Sequence, residues 1–136
     1  MILVDTSIWS LSIRRDEANL RSEELKVRSE LAQLIKEGRA RIIGPIRQEL
    51  LSGIRDHSRF ELVRTRMRAL PDEPLSETDY EEAARVNNLL RSKGIAGSVI
   101  DCLICAVAVR QGFAVFSAYQ DFRHYAKHLP ITIHVP

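Results

Sequence analysis

The stretch ILVDTSIW, residues 2–9, begins with three apolar β-formers and turns polar at Asp5. An apolar run without polar alternation predicts a short strand buried on both faces, as strands of parallel sheets are. Asp5 would then lie at the carboxyl end of that strand. Functional crevices of open α/β sheets lie beyond the carboxyl ends of the strands. This one stretch therefore predicts both a fold class and the position of a site.

The rest of the chain repeats the alternation of short apolar strands and helices. Further strands are expected in ARIIG (40–44), FAVFS (113–117) and ITIHV (131–135). Helices are expected within residues 19–38, 45–54, 57–70, 80–94, 98–109 and 120–128. Gly38 is expected to end the first of these helices. Thr78 and Glu81 have the spacing of a capping box that would open one of these helices, and Gly94 is expected to end it. The pattern predicts an α/β fold with a mainly parallel sheet covered by helices on both sides.

The length and composition of the chain limit the class of protein. A chain of 136 residues has a common domain size, and we expect a single domain spanning residues 1–136. The 45% hydrophobic and 28% charged content is typical of a folded protein and excludes disordered and collagen-like classes. No apolar run reaches the roughly 18 residues of a membrane span, and Met1 is followed by strand-like sequence instead of a signal peptide. We therefore expect a cytoplasmic protein that does not enter a membrane.

Charge is distributed unevenly along the chain. The formal net charge is only +2, but basic residues are concentrated between residues 14 and 68, whereas residues 71–82 contain no Lys or Arg. This asymmetry would allow a polyanion to bind across one face. The alternative is a set of solvated helix faces with mixed charges.

The cysteines and histidines do not form a recognisable transition-metal motif. Cys102 and Cys105 lie within an apolar run, which favours packing in the core over a redox pair or half of a zinc site. His124 and His128 are spaced to share a helix face but lack a third ligand in the motif. We expect all four side chains to have structural or surface roles.

Four carboxylates occupy positions where a charge needs an explanation. Asp5 and Asp121 follow strand-like segments, and Asp101 is the only polar side chain in the run VIDCLICAVAV. Glu49 is predicted to share a helix face with apolar residues, and a buried unpaired glutamate requires a partner or a cation. Because strand ends and inward helix faces meet at one crevice, we expect the four to converge.

Each carboxylate also has a structural alternative. Asp5 and Asp121 are each suited to cap the segment that follows. Ser98 and Asp101 match a capping box. Glu49 has arginines close in sequence to pair with, or it is simply exposed at the edge of the apolar stripe.

Converging carboxylates cannot all remain ionised unless a cation offsets their repulsion. Ligands that are all oxygen atoms suit Mg²⁺ or Mn²⁺, which retain waters and bind phosphate oxygens of a substrate. This chemistry predicts hydrolysis of a phosphodiester by a metal-activated water.

Four segments, in this order along the chain, carry a resemblance to a known family. These segments are ILVDTSIW (2–9), IRQELLSGI (46–54), GSVIDCLICAVA (97–108) and VFSAYQDFRHYAK (115–127). Together they resemble a PIN domain, specifically a VapC-type toxin of a toxin–antitoxin pair. The resemblance implies an α/β/α sandwich and a Mg²⁺- or Mn²⁺-dependent endoribonuclease. It also implies a VapB-like antitoxin as the inhibiting partner, and often a homodimer.

The resemblance assigns roles residue by residue. Asp5 and Asp101 would be the principal metal ligands, and Glu49 and Asp121 would complete the catalytic site directly or through water. Two hydroxyl side chains would support it, those of Thr6 and Ser117.

One position departs from the family pattern. Tyr119 stands where many relatives have a second acidic or amide residue. The resemblance therefore implies one tightly held metal, with a second recruited by the RNA phosphate.

For RNA contact, the basic side chains expected to contribute are Arg14, Arg15, Arg41 and Arg47. Two other readings remain. One is a non-catalytic PIN-like domain that binds a partner or RNA and uses its carboxylates as caps. The other is a haloacid-dehalogenase-like phosphatase, which needs an aspartate where Ser7 stands.

Overall fold

A computed structural model describes residues 1–13 and 17–136 of the chain. The strands in this part of the chain are β1 (Ile2–Val4), β2 (Ala40–Ile43), β3 (Asp72–Glu73), β4 (Ala114–Phe116) and β5 (Thr132–Ile133). The helices in the same residues are α1 (Thr6–Ile13), α2 (Ser22–Lys36), α3 (Gly44–Ser52), α4 (His57–Met67), α5 (Glu77–Ser92), α6 (Val99–Gln111) and α7 (Asp121–Tyr125). A 3₁₀ turn covers Glu17–Asn19.

The described strands form one sheet in the order β3-β2-β1-β4-β5, and every pair is parallel. β1 is central and wholly buried, with Ile2 opposite Ala40 on one side and Ala114 on the other. A central strand in a parallel sheet has helices over both faces, which is why its sequence shows no polar alternation. The predicted α/β fold with helices flanking a parallel sheet is confirmed.

Two predicted helix ends are confirmed by backbone geometry. Gly38 follows α2 with φ 70°, and Gly94 follows α5 with φ 76°. Residues other than glycine rarely adopt this left-handed backbone conformation, so glycine is the residue expected at such a helix end.

The capping box of α5 lies two residues earlier than predicted. Ser76, not Thr78, is the N-cap, and the Asp79 carboxylate accepts the Ser76 N–H at 2.9 Å. Asp79 is also paired with Arg110 of α6. Local spacing allowed either capping box. Only the box of Ser76 and Asp79 has a carboxylate that also pairs with a residue of another helix, Arg110.

The strand β3 was not predicted, because its two residues, Asp72 and Glu73, lie in the acidic connection. Arg47 pairs with Asp72 at 2.8 Å, and Arg41 pairs with Glu73 at 3.0 Å. These ion pairs accompany the short edge strand, which has no apolar residue of its own. Pairing with β2 therefore overrides a sequence unfavourable to strands.

The core is built from β1, β2 and β4 together with the inner faces of the helices. Cys102 and Cys105 are buried within it as free thiols, as expected. Burial raises the pKa of both thiols, so they behave as small apolar groups. None of the described helices combines the length and apolar character that a membrane crossing requires.

Candidate active site

The sheet brings the residues after β1 and β4 together at its carboxyl edge. Val4 lies opposite Phe116 in the parallel register, and the Asp5 N–H donates to the Phe116 carbonyl at 2.9 Å. The next residue of β4, Ser117, is therefore placed beside Asp5. This is the edge at which the sequence predicted a site.

The Asp5 carboxylate is nearly inaccessible, with 4% of the residue exposed. Its Oδ2 accepts hydrogen bonds from Ser7 Oγ at 2.8 Å and Ser117 Oγ at 2.9 Å. Burial raises the pKa of Asp5 above its usual value, and these bonds, with the N–H groups of Thr6 and Ser7, offset only part of that effect. Asp5 therefore caps α1, as the structural alternative proposed. At the same time, the fold disfavours the ionised form of its carboxyl group.

Both serine hydroxyls are oriented by backbone groups. Ser7 Oγ accepts the Ala118 N–H at 3.0 Å, and Ser117 Oγ accepts the Tyr119 N–H at 3.1 Å. Since each oxygen accepts from the backbone, its proton is left to donate to Asp5. The loop after β4 thus fixes the orientation of the carboxylate at the end of β1.

Asp101 lies in the first turn of α6, where its N–H donates to Ser98 Oγ at 3.0 Å. Its carboxylate has another partner, because Tyr125 Oη donates to Asp101 Oδ2 at 2.7 Å. Burial raises the pKa of Asp101, and the negative charges of Asp5 and Asp121 raise it further. The three aspartates are therefore close enough to interact electrostatically.

Asp121 is exposed at the start of α7. Its proposed capping role does not hold, because the helix begins at Asp121 itself and Gln120 occupies the N-cap position. The charge of Asp121 acts on both Asp101 and Tyr125. We conclude that Asp121 is an exposed carboxylate close enough to Asp101 and Tyr125 to influence both.

Glu49 differs from its predicted environment. Ile46 and Leu50 of α3 are buried, but Glu49 is exposed. The predicted inward orientation of Glu49 was wrong, because its side chain lies at the solvent-exposed edge of the apolar stripe that contains Ile46 and Leu50.

Thr6 is buried, and its hydroxyl has no hydrogen-bond partner among the described residues. Its backbone N–H donates to the Asp5 carboxylate. The support that Thr6 gives to Asp5 here therefore comes from the backbone, whereas Ser117 gives it through the hydroxyl.

The aspartates fit a hard divalent ion by chemistry and charge. The part of the chain that the structure describes contains no group of three or more His, Cys, Asp or Glu side chains placed to hold a metal ion. Mg²⁺, however, is commonly bound through one or two carboxylates and keeps its remaining ligands as water and substrate phosphate. Asp5 and Asp101 offer two carboxylates, both with raised pKa values, that fit that pattern.

The arginines predicted to contact RNA have other partners where they are described. Arg41 donates to the Gly38 carbonyl at 2.9 Å, in addition to its ion pair with Glu73. Arg47 donates to the Met67 and Leu70 carbonyls, in addition to its ion pair with Asp72. Both therefore hold β3 in place, and an RNA contact would compete with these bonds.

The remaining two predicted arginines, Arg14 and Arg15, lie outside the described residues. Their contact with RNA stays a prediction.

The sequence did not reveal two residues of the site, Ser7 and Tyr125. Ser7 follows Asp5 by two positions, a spacing at which a hydroxyl can reach back to the carboxylate, so a local signal existed. Tyr125 contacts Asp101 across 24 residues, and no local pattern indicates that bond.

Comparison with known proteins places this geometry in a family. The sequence of this chain matches the family model of the PIN domain over residues 2–128. This chain belongs to the PIN domain family. The resemblance seen in the four sequence segments is thereby confirmed.

Curated relatives of this PIN domain cover nearly its whole length. The VapC ribonuclease Mb1587 of Mycobacterium bovis is 31% identical over 126 residues, which are 90% of this chain and 89% of the relative. Ribonuclease VapC11 of Mycobacterium tuberculosis matches with the same identity and coverage.

Solved structures share the fold of this PIN domain. FitAcB from Neisseria gonorrhoeae has a TM-score of 0.76 and 20% identity, covering 100% of this chain and 98% of that chain. VapBC2 from Rickettsia felis, bound to a DNA fragment from their promoter, has a TM-score of 0.68 and 16% identity, covering 98% of both chains.

Proposed function

We propose that this chain is a single PIN-like nuclease domain that cleaves RNA phosphodiester bonds with Mg²⁺ or Mn²⁺ and acts as the toxin of a type II toxin–antitoxin pair. The observation that carries the proposal is the pair Asp5 and Asp101. Both have raised pKa values, and each is held by a hydroxyl donor at the carboxyl edge of a parallel sheet. The VapC ribonucleases that are 31% identical over most of the chain support the same chemistry.

The metal would be held by Asp5 and Asp101, with Asp121 close by and Glu49 as an exposed candidate acting through water. When bound, such an ion polarises a water molecule and offsets the charge of the phosphate. Ser7 and Ser117 orient the Asp5 carboxylate. Tyr125 orients that of Asp101, and burial together with the Asp101 charge raises the pKa of Tyr125, so its hydroxyl remains a donor.

We propose a VapB-like antitoxin as the protein partner and a homodimer as the assembly, both in the cytoplasm. The support is the similarity to VapC ribonucleases and to the solved structures of FitAcB and VapBC2. The VapBC2 structure contains a DNA fragment, and we extend only the toxin–antitoxin pairing to this chain.

The decisive experiment compares Asp101→Asn with Asp56→Asn. Asp101→Asn removes one charge of the proposed metal pair while keeping the side-chain shape. We expect this substitution to abolish Mg²⁺-dependent cleavage of RNA by the purified protein. We also expect it to weaken Mn²⁺ binding, measured by calorimetry.

Asp56→Asn is the matched control, because Asp56 is an exposed N-cap of α4 and asparagine caps helices equally well. It should cleave RNA at the parental rate. Parental cleavage by folded Asp101→Asn would contradict the proposed site. Absence of both Mn²⁺ binding and RNA cleavage in the parental chain would favour a non-catalytic domain.

A further inference from the structure

Two segments near the aspartates are basic and contain no acid. Residues 83–100 include Arg91 and Lys93, and residues 122–136 include Lys127, with no Asp or Glu in either range. The first segment leads into the helix that carries Asp101, and the second directly follows Asp121. Any ligand that approaches the aspartates along these segments meets positive charge.

Arg85 in the first segment pairs with Glu82, but three other cations have no such pair among the described residues. Arg91, Lys93 and Lys127 are exposed, and within residues 1–13 and 17–136 no ion pair joins any of them to a carboxylate. Arg41 and Arg47, in contrast, are bound to Glu73 and Asp72. The unpaired cations are therefore available to an anionic ligand, whereas the paired ones are not.

Two adjoining cavities lie between these segments, each of about 320 Å³. The first contains Asp121, His124, Lys127 and His128, and it also includes Tyr125, whose hydroxyl is bonded to Asp101. The second contains Asn87 and Arg91. The stretch Gly94-Ile95-Ala96 lines both cavities. We refer to the surface of these two cavities, from Asp121 to Arg91, as the basic groove.

Gly97 lines the second cavity and lies close to Tyr125. A Cβ on Gly97 would lie 3.3 Å from Leu90 Cδ1 and from Cys102 Sγ, and 3.7 Å from Tyr125 Oη. Because Tyr125 is hydrogen-bonded to Asp101, a ligand in this cavity would lie near the proposed metal site.

We propose that the basic groove binds single-stranded RNA, with Arg91 and Lys127 contacting phosphates next to the one presented to Asp5 and Asp101. This inference rests on the proposed function. A groove of positive charge that follows the backbone is how proteins bind single strands, and exposed imidazole and amide groups supply hydrogen bonds for the bases. Exposed His124 and His128, together with half-buried Asn87, provide such groups here.

The test measures RNA binding without cleavage. A fluorescein-labelled single-stranded oligouridine is titrated with protein in EDTA, and anisotropy is followed at several salt concentrations. The test variant is Arg91→Gln with Lys127→Gln, which removes two charges and leaves polar, uncharged side chains. The matched control is Lys26→Gln with Lys36→Gln, two exposed lysines of α2.

The test variant should bind more weakly than the parent, and its salt dependence should be smaller. For single strands, each lost phosphate contact reduces the slope of log affinity against log salt by about 0.7, so two lost contacts reduce it by about 1.4. The deficit of the variant should then be about sevenfold larger at about 50 mM than at about 200 mM salt. The control should retain the parental affinity and slope.

Three outcomes separate the alternatives. A folded test variant with the parental affinity and slope would overturn the basic groove as the RNA site and leave these cations to a protein partner. Equal losses in the test and control variants would also overturn it, because the effect would then be one of net charge. If the parental chain neither cleaves RNA with Mg²⁺ nor binds the oligouridine, the proposed function fails as well. Melting temperatures of both variants show that folding is intact.

Discussion

At the scale of single residues, the site depends on hydroxyl groups that hold carboxylates in one orientation. Tyr125 is buried, packs edge-on against Phe122 with ring centroids 5.3 Å apart, and donates to Asp101 Oδ2 at 2.7 Å. Because the ring is fixed by this packing, its hydroxyl is a rigid donor. Where a carboxylate binds a metal ion, loss of such a hydrogen-bond partner commonly weakens metal affinity by about 10- to 100-fold.

We predict that Tyr125→Phe weakens Mn²⁺ binding by about tenfold or more while preserving the fold, because only the hydrogen bond to Asp101 is lost. Calorimetric titration with Mn²⁺ provides the measurement. Tyr80→Phe is the control, since Tyr80 is exposed on α5. A positioning role for Tyr125 would be refuted by an unchanged Mn²⁺ affinity in the folded variant.

At the scale of elements, α5 and α6 are joined by one buried acid. Asp79 is 1% exposed, caps α5 through the Ser76 N–H, and receives Arg110 Nη2 at 3.0 Å from α6. Burial alone would raise the pKa of Asp79, but the hydrogen bonds from Arg110 and Ser76 outweigh it and lower the pKa. The charged form is therefore the one that the folded protein stabilises.

We predict that Asp79→Asn lowers the free energy of unfolding by about 2 kcal/mol at neutral pH, less than for a fully buried pair because Arg110 is partly solvated. Glu82→Gln, in an exposed pair one turn away, should change it by about 0.5 kcal/mol or less. Urea denaturation measures both.

The same pair has a defined pH dependence. Since the folded pKa of Asp79 is lowered, its contribution is present above the unfolded value of about 3.9 and is lost as the pH falls through the folded value. The difference between parent and Asp79→Asn should therefore shrink in acid. If the difference in unfolding free energy stayed constant into strong acid, the ion pair between Asp79 and Arg110 would not be its source.

At the scale of the whole molecule, two aspartates with raised pKa values make the free energy of unfolding depend on pH. The pKa values of Asp5 and Asp101 are raised in the fold, so the folded state binds protons more tightly than the unfolded chain. Stability then falls as the pH rises through the window between the unfolded and folded pKa values. At neutral pH, ionisation of Asp5 and Asp101 lowers the free energy of unfolding, and a bound cation would offset this loss.

We predict that Asp101→Asn raises the metal-free unfolding free energy by about 1 kcal/mol at neutral pH, because a neutral amide removes both the desolvation of the charge and its repulsion with Asp5. Millimolar Mn²⁺ should stabilise the parental protein and have little effect on the variant. Thermal melts with and without Mn²⁺ test both statements. A less stable Asp101→Asn protein would contradict this prediction, because it would mean that the Asp101 carboxylate stabilises the fold.

The sequence by itself determined the features that depend on neighbours along the chain. The buried strand at residues 2–4, the glycine ends of α2 and α5, and the Ser98 cap of α6 follow from apolar runs, backbone dihedral limits and local hydrogen bonds. These same rules placed Asp5 at the carboxyl edge of the sheet. They act within a few residues and leave a readable pattern.

Only the tertiary structure decided which groups meet across long distances in sequence. Ser117 reaches Asp5 over 112 residues, and Tyr125 reaches Asp101 over 24. Such contacts, like the exposure of Glu49, depend on how helices and strands pack, and packing energy is shared among many side chains. No single local motif encodes that energy, so the partners of each carboxylate became known only when the fold brought them together.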